Sequence, residues 1–231
     1  MTGRLARPAA ANIATIATMA AMLLIAGLLA GCGAQDGNAV AGQQLAGATQ
    51  ADELTPVSGA PAPSSATLAR ARLEPCPISA TSAPVSGGLP DLTLPCLGGG
   101  PAVNLAGLRG HPMVLTLWAQ YCGPCRVELP VFGQAAQAAQ RAGMSLRFLG
   151  IDLLEPRPDA AVALLADSGV HFPSVRDDSG ATRASLKWIG PPTTVFVRAD
   201  GTIAWTQIGQ IPDAATLRGL IRTHLGVVVP A

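Results

Sequence analysis

Residues 118–125 read WAQYCGPC and hold two of the chain's five cysteines, Cys122 and Cys125. Just upstream, Met113–Ala119 (MVLTLWA) is an unbroken apolar run of strand length, suited to a central strand covered on both faces. Just downstream, Val127, Val131, Ala135, Ala138 and Ala142 recur at helical spacing, which predicts a helix from Pro124 to Ala142, kinked at Pro130. A C-x-x-C pair serves either zinc or redox chemistry. A closed zinc site needs four ligands. Cys76 and Cys96 do not form a second C-x-x-C, and His111, His171 and His224 are isolated, so no metal site is expected. A redox pair between a buried strand and a helix start fits better. There the orphan N–H groups and the helix dipole favour a negative charge on the first cysteine. The thiolate is the attacking species. Cys122 is therefore read as the nucleophile. Cys125, one turn later and more buried, is read as the thiol that resolves the mixed disulfide. Pro124, in the first turn, has no N–H to leave unpaired.

Working outward, Ser145–Leu153 reads as a second buried strand and Asp159–Asp167 as a helix closed by Ser168 and Gly169. His171–Val175 is expected to be a short strand and Thr182–Lys187 a short helix. Thr193–Ala199 and Thr202–Ile208 form a hairpin around Ala199-Asp200-Gly201, and Asp213 caps a last helix over 214–224. Before the central strand, Leu89–Leu97 alternates but carries prolines, hence an edge strand; Gly98–Gly100 turn it into a hairpin. No Gly-Lys-Ser/Thr follows those glycines, so they are not a phosphate loop. Strands alternating with helices predict an α/β fold, a mixed sheet with helices on both faces.

The first half of the chain has a different character. Aromatic residues make up 3% of the 231, and the first is Trp118. Residues 1–12 carry Arg4 and Arg7, residues 13–31 are uncharged and almost wholly apolar, and Cys32 follows in LLAGC. This matches a lipoprotein signal peptide (1–31) cleaved before a lipidated Cys32; the alternative is an uncleaved anchor long enough to span a bilayer. Either way the rest of the chain works outside the cytoplasm. Residues 32–75 are rich in Ala, Gly, Pro, Ser and Gln and read as a disordered tether, with 66–73 able to form a short helix. Residues 76–231 are the expected folded domain. The net charge is +1 with no basic block, which excludes the electrostatic footprint of a nucleic-acid binder.

Taken together, the stretch W-A-x-x-C-G-P-C-R with Glu128 and Pro130 resembles the thioredoxin superfamily, and within it the TlpA/ResA/DsbE-like membrane-tethered branch. LPDLTL…VNLAGLRGHPMVLTLWA resembles that branch's added N-terminal β-hairpin, and GPPTTVFVRADGTI its G-x-P-T-T-x-F segment. The resemblance covers about residues 88–226. It implies a thioredoxin-like fold, no cofactor, and thiol–disulfide oxidoreductase activity on cysteines of exported proteins, possible routes including cytochrome c maturation. It implies a membrane redox partner. No long exposed apolar helix face in the sequence suggests an oligomer, so a monomer is expected. It makes Pro192 a cis-proline facing the cysteines and Glu128 a buried acid able to relay a proton to or from Cys125; an ordinary first-turn glutamate is the alternative. Trp118 and Tyr121 flank the cysteines: Trp118 is read as packing against the active-site helix beside the substrate, with core filling as the alternative, and Tyr121 as lining the substrate surface. The resemblance adds Pro191 and Thr193 to that surface.

Two positions depart from the family pattern. Thr116 stands where classical thioredoxins carry an acid. Pro191, before the expected cis-proline, has no N–H to offer a substrate backbone, so a looser grip on extended peptides is expected.

With Cys32 lipidated, four thiols remain and allow three pairings. If C-x-x-C takes one, Cys76–Cys96 is the second, structural in role, with a redox relay to Cys122 as the alternative. Two other functions use cysteines in comparable ways. A peroxiredoxin-type peroxidase needs a Thr three before its cysteine, where this chain has Ala119. A copper-binding assembly lipoprotein would use Cys122, Cys125 and a distant histidine such as His171. The Gly-Pro dipeptide is that of thioredoxin, near −270 mV, which leans towards a reductant without fixing the direction.

Overall fold

The structure, a computed structural model, describes residues 60–231. The expected signal peptide, Cys32 and most of the expected tether lie outside the described residues. Among the described residues no helix is long and apolar enough to cross a membrane.

Among the described residues, seven strands and five α-helices follow in the order α1 (Ser65–Ala71), β1 (Thr93–Leu94), β2 (Val103–Asn104), β3 (Met113–Trp118), α2 (Gly123–Arg141), β4 (Arg147–Leu153), α3 (Pro158–Asp167), β5 (Ser174–Asp177), α4 (Arg183–Leu186), β6 (Thr193–Val197), β7 (Ile203–Ile208) and α5 (Ala214–Leu225). The main sheet has the order β5-β4-β3-β6-β7. β3 runs parallel to β4, and β4 to β5; β6 is antiparallel to β3 and to β7. β1 and β2 pair as the separate N-terminal hairpin. The expected mixed sheet with an added hairpin is therefore the observed one.

The side-chain period of two explains the layers. Val114 and Trp118 of β3, Phe148 of β4 and Phe196 of β6 point to one face and pack with Leu129 and Phe132 of α2, Val162 of α3 and Leu217 of α5. Leu115, Leu117, Leu149, Ile151 and Val195 point to the other, where the hairpin and the Trp188 segment after α4 cover them. β3 is buried at all six positions because both faces are covered. Gly150 sits at a close approach: a Cβ there would collide with Ser174 Oγ and Trp118 Nε1.

Two expectations need correction. The third parallel strand is Ser174–Asp177, not His171–Val175. Its two charged residues hid it from a pattern search, but Arg176 is paired with Asp178 at 2.9 Å, and Asp177 accepts from the Thr182 amide and hydroxyl at 2.9 and 2.6 Å. Second, the folded unit begins before Cys76. α1 is capped by Ser64, whose hydroxyl accepts from the Thr67 amide, and the Ser64 amide donates to Asp159 at the start of α3. Ala71 is part of the core, and Arg176 donates to the carbonyls of Ala60 and Pro61. The short helix expected over 66–73 is α1, and its small alanines carry too little apolar area to show in the sequence that it packs on the folded unit.

Candidate active site

The end of β3 hands the chain directly to α2. Cys122 is the N-cap of α2, with extended backbone, and its sulfur accepts from the Cys125 amide at 3.2 Å. Cys122 and Cys125 are joined as a disulfide. An amide aimed at Cys122 Sγ, at the positive end of a 19-residue helix, favours the thiolate once the bond is reduced. α2 runs unbroken through Pro130.

Register places the opposing wall. Leu117 of β3 pairs with Thr193 of β6, so the peptide just before β6 lies beside the end of β3. That peptide, Pro191–Pro192, is cis. The Gly209 amide donates to Pro192 O at 3.0 Å, and Thr193 Oγ1 donates to Gly190 O at 2.9 Å, which leaves the loop few free polar groups. Between the walls is a groove of about 400 Å³, with Tyr121, Cys122 and Pro124 on one side and Ile189, Pro191, Pro192 and Ile208 on the other. Ile189 and Ile208 are exposed, so the rim is apolar. Tyr121 is half-buried and donates its hydroxyl to Leu153 O at 3.1 Å.

Trp118 and Thr193 do not reach this groove. Both are fully buried, because β3 and β6 are central strands. Trp118 fills the core, and Thr193 ties the loop before it. Pro191 and Tyr121 do line the groove.

Glu128 lies one turn after Cys125, on the buried side of α2. Its Oε1 accepts from Thr194 Oγ1 at 3.5 Å, and its Oε2 has no partner among the described residues. Burial pushes its carboxyl from 4.5 up to about 7, against the weaker pull of the Ile211 amide and the Thr194 hydroxyl. Such a group changes its charge near neutral pH.

A second buried acid was missed in the sequence. Glu155, after β4, accepts from the Gln120 amide at 3.2 Å and from the Arg157 amide at 2.7 Å. Gln120 Oε1 in turn accepts from Arg126 Nη2 at 3.2 Å. The loop between β3 and Cys122 is thus held from β4 and from α2. Asp152, fully buried on β4, has its carboxyl pushed well up, first by burial and then by Glu155. An acid inside the apolar run RFLGIDL was the available signal.

Cys76 and Cys96 form the second disulfide, 20 residues apart. Cys96 bridges Val175, and the Leu97 and Arg176 amides donate to Ser174 O and Pro95 O, so the hairpin covers the outer edge of β5. His171 precedes β5, and Cys122 follows the far end of the parallel β3. The copper set of Cys122, Cys125 and His171 is therefore not brought together. Among the described residues, no group of three or more His, Cys, Asp or Glu is placed to hold a metal.

The redoxin family profile matches residues 84–221. The thiol:disulfide interchange protein DsbE of Pseudomonas fluorescens biotype C is 32% identical over 127 residues, covering 54% of this chain and 66% of the relative. The thiol-disulfide oxidoreductase ResA of Oceanobacillus iheyensis is 29% identical over 129 residues, covering 55% and 62%. The chain thus spans a little under two thirds of the length of these curated relatives. Among solved structures, a secreted Mycobacterium tuberculosis disulfide oxidoreductase homologous to E. coli DsbE superposes with a TM-score of 0.50 at 26% identity, covering 58% of this chain and 96% of that one. Strand–C-x-x-C–helix facing a cis-proline, within a matched segment of more than half the chain, leads to one conclusion: the chain belongs to the redoxin family.

Proposed function

We propose that this chain is an extracytoplasmic protein thiol–disulfide oxidoreductase acting through Cys122 and Cys125. The observation that carries the reading is the placement of Cys122 at the N-cap of α2, facing cis-Pro192 across an apolar groove. In the reducing direction, the Cys122 thiolate attacks one sulfur of a substrate disulfide. A mixed disulfide forms, and the other substrate sulfur leaves as a thiolate. Glu128 takes the proton from Cys125, whose thiolate attacks Cys122 Sγ and frees the second substrate sulfur. The substrate gains two electrons and the Cys122–Cys125 disulfide is regenerated. A membrane redox partner then returns two electrons to it.

Secretion of the M. tuberculosis relative supports work outside the cytoplasm. In this reading the signal peptide 1–31 is removed, lipidated Cys32 anchors the chain to the cell membrane, and the domain acts as a monomer on exported proteins. A disulfide of apocytochrome c, whose two thiols must be freed before haem attachment, is the proposed substrate. Pro191 gives substrates no N–H to pair with, so apolar contact at the groove rim outweighs backbone pairing in their capture.

Acid-quench alkylation in intact cells tests the direction. A mostly reduced Cys122–Cys125 pair is expected. A mostly oxidised pair would make the chain an oxidant of exported thiols instead.

A further inference from the structure

A second cavity, of about 450 Å³, lies far from the redox groove. It is lined by Met113 at the start of β3, Arg147 and Phe148 at the start of β4, and Pro173 just before β5. Cys122 follows the other end of β3. The six residues of β3 put roughly 15–20 Å between the two places. The volume is within the range of about 300–1,000 Å³ typical of small-molecule sites.

The floor of this cavity is apolar. Leu108, Met113, Leu146, Phe148 and Phe172 are each 4–6% exposed, whereas the centres of both core layers are at or near 0%. The outer wall is the segment from Glu74 to Ile78. It is fixed by the Glu74 amide, which donates to His171 O at 2.7 Å, and by the Cys76–Cys96 disulfide. The site is therefore formed in advance of any ligand.

The rim carries five titratable groups, and most are already engaged. Arg109 donates to the carbonyls of Ala106 and Ala83. The His171 ring lies 3.3 Å from Ala71 O. Glu74, the sole acid on the lining, accepts from Gln140 Nε2 at 3.3 Å. The side chains of Arg147 and His111 are exposed and have no hydrogen-bond or ion-pair partner among the described residues. They share one lip, since the Arg147 amide donates to the carbonyl of Pro112 at 3.0 Å. A planar guanidinium with free donors above an apolar floor matches a carboxylate on a hydrocarbon chain.

We propose that this cavity is a second binding site, for a single-chain amphipathic carboxylate of the fatty-acid class. The hydrocarbon lies on Phe148, Phe172 and Leu146, and the carboxylate meets Arg147, with His111 beside it. This assignment does not depend on the redox reading.

The test is calorimetric titration of the full chain with octanoate, octan-1-ol and octylamine. Octanoate is expected to bind about tenfold more tightly than octan-1-ol, as one charge-assisted contact predicts, and octylamine more weakly than either. Arg147→Gln should remove the preference for octanoate and leave octan-1-ol binding and dithiol-driven disulfide reduction unchanged. Absence of octanoate binding, equal binding of the three probes, or an unchanged preference in Arg147→Gln would each overturn the proposal. Loss of reductase activity in the native chain would bear on the redox reading alone.

Discussion

Among the described residues, two disulfides have nearly the same burial and opposite surroundings. Cys122 and Cys125 are 7% and 1% exposed; Cys76 and Cys96 are 4% and 9%. Accessibility alone does not separate a working bond from a staple. The polar groups around the sulfurs do. Cys122 Sγ receives an amide at a helix N-terminus and opens onto a groove. Cys76 Sγ sits 3.5 Å from the carbonyl oxygen of Ser174, the negative end of a dipole. The first setting stabilises a thiolate, and the second repels one. Separation in sequence differs as well. A three-residue spacing constrains one helical turn, whereas a 20-residue spacing ties the N-terminal extension to the hairpin over the β5 edge.

The largest effect is expected at Cys122. Cys122→Ser should abolish disulfide reduction in an insulin turbidity assay, and Cys125→Ser should trap a mixed disulfide visible by mass spectrometry of the intact complex. Retained turnover in Cys122→Ser would erase the distinction between the two bonds.

Next comes Glu128. Loss of the proton acceptor in Glu128→Gln should slow resolution of the mixed disulfide by about 100-fold and remove an inflection near pH 7 from its rate profile. Stability follows with a definite sign. The folded carboxyl keeps its proton up to about 7, while the unfolded chain releases it near 4.5. This carboxyl therefore withdraws roughly 3 kcal/mol of native stability as pH rises from 4.5 to 7 and adds no slope above that. Denaturant titrations of Glu128→Gln across this window should lack the slope. An unchanged slope would assign it to another group, Asp152 first.

The smallest effect on turnover belongs to the staple. The double variant Cys76→Ser/Cys96→Ser should lose about 3 kcal/mol of stability by the loop-closure argument, with turnover within about twofold of the native chain. A collapse of turnover in a variant that remains folded by circular dichroism would turn the staple into an electron relay and end the contrast.

What was legible in the sequence was whatever depends on neighbours in the chain. A cysteine three residues before another at a helix start shares its first turn, so WAQYCGPC by itself marked Cys122 and Cys125 as a pair, and the structure joins them as a disulfide. The apolar run MVLTLWA marked a strand covered on both faces, and the hairpin glycines marked a turn. Those inferences needed only local geometry and the periods of strand and helix. Decisions made between distant segments were not legible. Trp118 and Thr193 look like groove residues beside the cysteines, yet the central position of β3 and β6 buries both. Ser174–Asp177 looks like a charged loop until Asp178 and Thr182 satisfy its charges. α1 reads as tether until α3 supplies Asp159 to its start. Glu155 and Asp152 are plain acids in the sequence, and Glu128 stands out there only through the family resemblance. Only the packing of α2, β4 and β5 around them removes their water, and that desolvation gives a carboxyl a pKa near 7 at Glu128.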